Sequence, residues 1–198
     1  MVLSEITKWL ALFSALTTSY LFFVEGKDFA EKFLTDDRRI FLVAFTNDSI
    51  PSFPDFRCVR SDYPEKSDKM TRKVQYEEAD QVSIVEEKLW KRTYKEVTFM
   101  LGSEGPNTTL TILDVSPPTY FSHLYIGTFS VVIEHNDCLI VGDKAFDGNG
   151  KQRCLAWSHE KTFRSLHKDC KSALQVSCVN TVHIEEKNIT DCGYAVRH

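Results

Sequence analysis

Between Ile40 and Ser158 the chain runs in short β-prone stretches, each ended by Gly, Pro or Asx residues, and this rhythm leaves few folds open. Ile40 to Thr46 is rich in Ile, Val and Phe, and Asp55 to Tyr63 follows a turn signalled by Pro51 to Pro54. Met70 to Glu78 comes next, then the long run Lys88 to Leu101, where Thr, Tyr, Val and Phe alternate with charges. Gly102 to Pro106 breaks that run, Thr108 to Val115 resumes it, and Pro117-Pro118 breaks it again before Tyr120 to Ile126. Gly127 marks a bulge or bend ahead of Thr128 to Glu134, and Cys138 to Gly142 and Gln152 to Ser158 complete the series. Asp147-Gly148-Asn149-Gly150 holds both dipeptides that tight hairpins prefer; a phosphate-cradling loop would need a following helix and a Lys-Ser/Thr pair. About nine strands with turns between them predict a β-sandwich or barrel.

Helical periodicity is confined to a short amphipathic turn near Asp28 to Leu34 and to one later segment. In the latter, Phe163, Leu166, Cys170, Ala173 and Leu174 recur at three- and four-residue steps. One helix after a run of antiparallel strands predicts a barrel with a helix packed on its outer wall.

The N-terminus points to a compartment. Lys8 precedes an apolar block from Trp9 to Val24, and the chain turns polar at Glu25-Gly26-Lys27-Asp28, the pattern of a secretory signal peptide. Val24 and Gly26 fit cleavage after Gly26, and cleavage after Ser19 is the alternative. As a membrane anchor the block is short of the roughly 20 apolar residues needed to cross a bilayer and carries Thr17, Thr18 and Ser19. The expected organisation is a signal peptide over 1–26 and one domain over 27–198, with no membrane insertion of the mature chain.

All six cysteines, Cys58, Cys138, Cys154, Cys170, Cys178 and Cys192, lie beyond that block. An even count in a secreted chain predicts three disulfides, and no C-x-x-C pair suggests a metal site. Three sequons, at Asn47, Asn107 and Asn188, predict surface glycans in the same compartment. The formal charge of −4 becomes one unit less negative when Glu5, Lys8 and Glu25 leave with the signal, and Lys and Arg form no basic stripe. That distribution excludes the electrostatic footprint of a nucleic-acid binder.

Enzyme signatures fail on inspection. His159-Glu160 begins like a zinc-protease H-E-x-x-H, but the fifth position is Phe163, and Gly-x-Ser-x-Gly does not occur. His123, His135, His167, His183 and His198 sit at unrelated spacings and read as surface residues, so neither a metal nor a cofactor is expected.

The stretches Ile40-Phe41-Leu42-Val43-Ala44-Phe45-Thr46-Asn47-Asp48 and Asp55-Phe56-Arg57-Cys58-Val59 carry a further signal in their order and spacing with later motifs. Those motifs are Asn136-Asp137-Cys138-Leu139-Ile140-Val141, the Gly-rich hairpin, Cys154-Leu155-Ala156-Trp157, and the late cysteines Cys170, Cys178 and Cys192. From Ile40 to Cys192 the chain resembles the salivary lipocalins of ticks, whose best-described members bind histamine. The resemblance implies an eight-stranded antiparallel barrel with a C-terminal helix outside it, secretion into saliva, and sequestration of a host small molecule to blunt host defence. It also implies pairing of Cys58 with Cys192 and Cys138 with Cys170, which leaves Cys154 and Cys178 as the third bridge.

In the histamine-binding members, carboxylates and aromatic rings hold a cationic amine, as a buried ammonium requires. Carried over residue by residue, those acids fall here on Leu155, on Leu139, near Phe129, and near Lys95 with Glu96 adjacent. Asp48 matches, and Phe45 stands where the family has a tyrosine. Apolar replacements remove the counter-ion and favour a hydrophobic guest: a fatty acid, an eicosanoid or a sterol. Lys95 or Arg92, if inward, would meet a lipid carboxylate. The other readings are a biogenic amine, histamine or serotonin, anchored by Asp48 and Glu96, and an outer surface that engages a host immune protein or cell receptor.

The candidate ligand-binding residues follow from strand alternation. Phe41, Val43 and Phe45 share one face of the first strand, opposite Ile40, Leu42 and Ala44; both faces are apolar, and the sequence does not say which turns inward. On the long strand the candidates are Trp90, Arg92, Tyr94 and Glu96. Phe129, Val131 and Ile133 form the inward set of their strand, and Leu155 and Trp157 share a face of the last.

Overall fold

The computed structural model describes residues 28–46, 56–64, 70–79, 90–114 and 127–184. After a helical stretch at residues 28–35 (α1), the strands in chain order begin with β1 (Ile40–Thr46), β2 (Phe56–Pro64), β3 (Thr71–Ala79) and β4 (Trp90–Glu104). They continue with β5 (Asn107–Asp114), β6 (Gly127–His135), β7 (Cys138–Phe146) and β8 (Gln152–His159). Helix α2 (Lys168–Ser177) and a short strand β9 (Thr181–His183) follow. The expected strand at Tyr120 to Ile126 lies outside the described residues.

Each strand from β2 to β7 pairs antiparallel with its successor, and β8 pairs with β1. The ring closes where Ile40 and Phe41 of β1 pair with Ser61 and Arg60 of β2. Farther along the same edge of β1, β9 takes over, with Ala44, Phe45 and Thr46 opposite His183, Val182 and Thr181. The result is a closed eight-stranded antiparallel barrel with α2 packed against it and β9 covering an edge left by the brief closure. Thr181 to His183 is too short for alternation to announce it.

The Gly-rich segment after β7 is a hairpin. Asp147 Oδ1 accepts the amides of Asn149 and Lys151 at 2.8 Å each, and Gly150 takes the left-handed φ of 74° that favours glycine.

α2 begins later than the Phe163 periodicity suggests. His167 is its N-cap, its Nδ1 accepting the Asp169 amide at 3.3 Å, while residues 160–165 form turns ahead of it. Phe163 still packs against the barrel's outer wall, its ring 5.0 Å from that of Phe41. Two bridges fasten α2 to the wall: Cys138–Cys170 at its start and Cys154–Cys178 at its end, with Cα separations of 6.5 and 5.7 Å. Cys58 is also disulfide-bonded; Cys192 lies outside the described residues. Among the described residues, no helix is long and apolar enough to cross a membrane.

Candidate functional site

One cluster of buried apolar side chains draws on every strand of the ring. Leu42 and Phe45 come from β1, Val59 from β2, Val74 and Tyr76 from β3, and Val97 and Phe99 from β4. Leu110 and Ile112, Phe129, Leu139 and Val141, and Leu155 and Trp157 continue it through β5, β6, β7 and β8. In a closed ring, a set with members on all the walls can only be the interior. A second cluster is confined to β1, β7, β8 and the α2 region, with Phe41, Val43, Ala44, Ile140, Ala156, Leu166 and Leu174 in it. That is the outer wall beneath the helix, so β1 is buried on both faces.

Two bulges decide which candidates reach the interior. On β1, Leu42 pairs with Trp157 and Ala44 with Ala156, two steps against one, and Val43 is the extra residue. Leu42 and Phe45 therefore face inward, and Phe41 and Val43 lie in the outer cluster under α2. A like shift on β6 pairs Val131 with Val141 but Ile133 with Ile140. Phe129 and Val131 stay with the interior, while Ile133 is turned out to the helix side. Strict alternation fails at both places because each bulge adds a residue to one strand only.

On β4 the correction has the opposite cause. The β3–β4 ladder runs without a shift from Thr71–Thr98 to Ala79–Trp90. With Val97 and Phe99 inward, Arg92, Tyr94 and Glu96 must face out; all three are exposed, Tyr94 at 60%. They belong to an outer lattice. Glu77 accepts a hydrogen bond from Arg57 Nε at 2.9 Å and lies 3.4 Å from Arg92, and the Arg57 guanidinium sits 4.2 Å over the half-buried Trp90 ring. Lys73 Nζ lies 3.8 Å from the Tyr94 ring centre.

Lys95 takes the inward face instead, level with Val97 and opposite Val74, and is 3% exposed. Leu155, Leu139 and Phe129, the residues on or near which the family resemblance set acids, are all buried in the interior cluster. Asp48 lies outside the described residues, as do the sequon residues Asn47 and Asn188; Asn107 is exposed at the start of β5. Tyr76, Val97, Phe99, Leu110, Ile112 and Val141 join the interior without having been singled out. The alternation of Val97 and Phe99 with polar neighbours was the available signal, masked by Trp90 and Tyr94 on the other face.

One end of the barrel is closed from below. Ala30, Phe33 and Leu34 of α1 join the interior cluster. Arg72, fully buried, donates to the carbonyls of Leu34, Asp36 and Arg38 and, at 2.8 Å, to Ser61 Oγ. Burial lowers the Arg72 pKa to about 10, which leaves it cationic at neutral pH, with Asp36 and Asp62 nearby in support. β1 ends, β2 begins, β3 ends and β4 begins at the other end.

Three-dimensional comparison finds a match. Japanin from Rhipicephalus appendiculatus, solved bound to cholesterol, superposes with a TM-score of 0.54 over 78% of this chain and 97% of that one. The fold is that of a lipocalin. At 12% sequence identity the likeness speaks to the lipocalin barrel and not to its contents. No family model matches the sequence, and no curated protein does.

Proposed function

We propose that this chain is a secreted, non-catalytic lipocalin that sequesters a small hydrophobic molecule of a host, an acidic lipid in particular, and so dampens inflammatory or immune defence. The observation that carries the reading is the interior itself: apolar side chains from all eight strands, with Lys95 on the same inner surface. Burying apolar ligand surface is worth about 25 cal/mol per Å², so a lipid needs no ion pair to bind. A fatty acid or eicosanoid would bring its carboxylate to the inner surface that also carries the Lys95 ammonium. The cholesterol bound by Japanin supports a hydrophobic guest in this type of barrel and keeps a sterol within the class.

The amine reading loses one of its two anchors, because Glu96 is exposed on the outer wall. A surface role gains one specific support: the Arg57–Glu77–Arg92 lattice with Trp90 and Tyr94 gives β2 to β4 a charged, aromatic outer face suited to protein contact. Secretion, cleavage of residues 1–26 and glycans on the sequon asparagines complete the proposal.

The test is native mass spectrometry of protein secreted from eukaryotic cells, followed by organic extraction. A copurifying lipid, displaced by added fatty acid, is the expected result. Micromolar or tighter histamine binding with no displacement by fatty acids or sterols overturns it.

A further inference from the structure

Two tetrapeptides of one form, His135-Asn136-Asp137-Cys138 and His167-Lys168-Asp169-Cys170, meet in space. The first ends β6 and turns into β7; the second caps and opens α2. Their cysteines are bonded to each other, so each histidine sits three residues upstream of the same disulfide. The two imidazoles stack with centroids 4.2 Å apart and planes 14° from parallel.

Carboxylates flank both rings. His167 Nδ1 is 3.5 Å from Asp169 Oδ2, and His135 Nδ1 is 3.9 Å from Asp137 Oδ2. The ligand atoms of His135, His167 and Asp169 all lie within 4.8 Å of one another, with both rings half-buried and Asp169 exposed. This cluster lies on the outside of the barrel, away from the interior described above, and neither the barrel nor its guest requires it.

We propose that the disulfide-clamped His135–His167–Asp169 cluster binds a divalent late first-row transition-metal ion of the zinc or copper type. Two imidazole nitrogens and a carboxylate are the donor set that such ions take, whereas calcium and magnesium favour oxygen alone. Around zinc, with bonds of about 2.0–2.2 Å, tetrahedral ligand atoms stand roughly 3.4 Å apart. Side-chain rotations of about an ångström therefore bring the three donors into range. The Cys138–Cys170 bond holds the two backbones together before any ion arrives, so little ordering opposes binding. Water or the neighbouring Asp137 would fill a fourth position.

The experiment uses the full secreted chain with its disulfides intact, stripped by chelator and titrated with zinc chloride in a calorimeter. One equivalent is expected to bind with a dissociation constant on the order of micromolar, and excess zinc is expected to raise the melting temperature. His135→Gln and His167→Gln, which keep polar side chains of similar reach, are each expected to weaken binding at least tenfold, and the double variant to abolish both signals. His183→Ala is expected to change neither, and calcium and magnesium are expected not to compete. Circular dichroism and the metal-free melt of each variant separate lost binding from lost folding. Absence of zinc binding by the parent chain, or unchanged affinity in a folded double variant, overturns the proposal.

Discussion

The ring of Phe33, on α1, lies against the imidazole of His159 at the end of β8, with centroids 4.2 Å apart. His159 is fully buried, and neither of its ring nitrogens has a hydrogen-bond partner. Burial first, and the Arg38 guanidinium second, lower its pKa from 6.5 to about 4. The imidazole is thus neutral where α1 plugs the barrel.

Stability therefore depends on pH through this residue. As pH falls below 6.5 the unfolded chain takes up a proton that the folded chain refuses until about 4. The contribution is fully present above that window, declines through it and is flat below it, with a total of roughly 3 kcal/mol at most. Asp36, held below its usual 3.8 by the hydrogen bond from Arg38, adds a loss only at still lower pH. Urea unfolding at pH 7.5, 5.5 and 4.5 is expected to show the decline in the parent and a shallower slope in His159→Phe. Equal slopes would remove His159 from the explanation.

Arg72 ties β3 to the carbonyls behind α1, and its loss leaves those acceptors buried and unmet. Arg72→Ala is expected to cost roughly 3–5 kcal/mol in chemical denaturation. Arg72→Lys is expected to recover only part, because one ammonium cannot reach acceptors spread across a planar fork. A lysine variant as stable as the parent would contradict this.

Gly142 is required by a neighbour. A Cβ at this position would lie 2.3 Å from Cδ of Gln152, which is itself buried. Gly142→Ala is expected to cost about 1–3 kcal/mol by overpacking, and most of that cost should vanish in a Gln152→Ala background. The coupling in a double-mutant cycle is the measurement; simple additivity would refute the contact.

For the proposed lipid guest, Lys95→Met is expected to weaken a fatty acid about tenfold or more while sparing a sterol, read by competition with a fluorescent lipid. Arg92→Met, on the outer wall, is expected to change neither. Equal loss for acid and sterol in Lys95→Met would point to packing rather than to charge pairing.

Much of the barrel was readable in the chain. Ile40 to Thr46 is β1 to the residue, and the other described strands fall within a few residues of their Gly and Pro boundaries. The Cys138–Cys170 pairing, and Cys154–Cys178 with it, followed from the family resemblance, and both bonds are present. Facing was less readable. Phe41, Val43 and Ile133 keep perfect period-two spacing with inward residues, yet a bulge lies between them and the interior.

The sequence by itself determined what is local: where strands start and stop, where the Asp147–Gly150 hairpin bends, and that β1 is apolar on both faces. Such features depend on a residue's own backbone preferences and its near neighbours. Only the tertiary structure decided that Lys95 and not Arg92 turns inward, that Arg72 bonds three carbonyls of one distant segment, and that His135 stacks on His167. The direction a side chain points is set by ladder register, and bulges and ring closure fix that register through pairings between residues far apart in the chain.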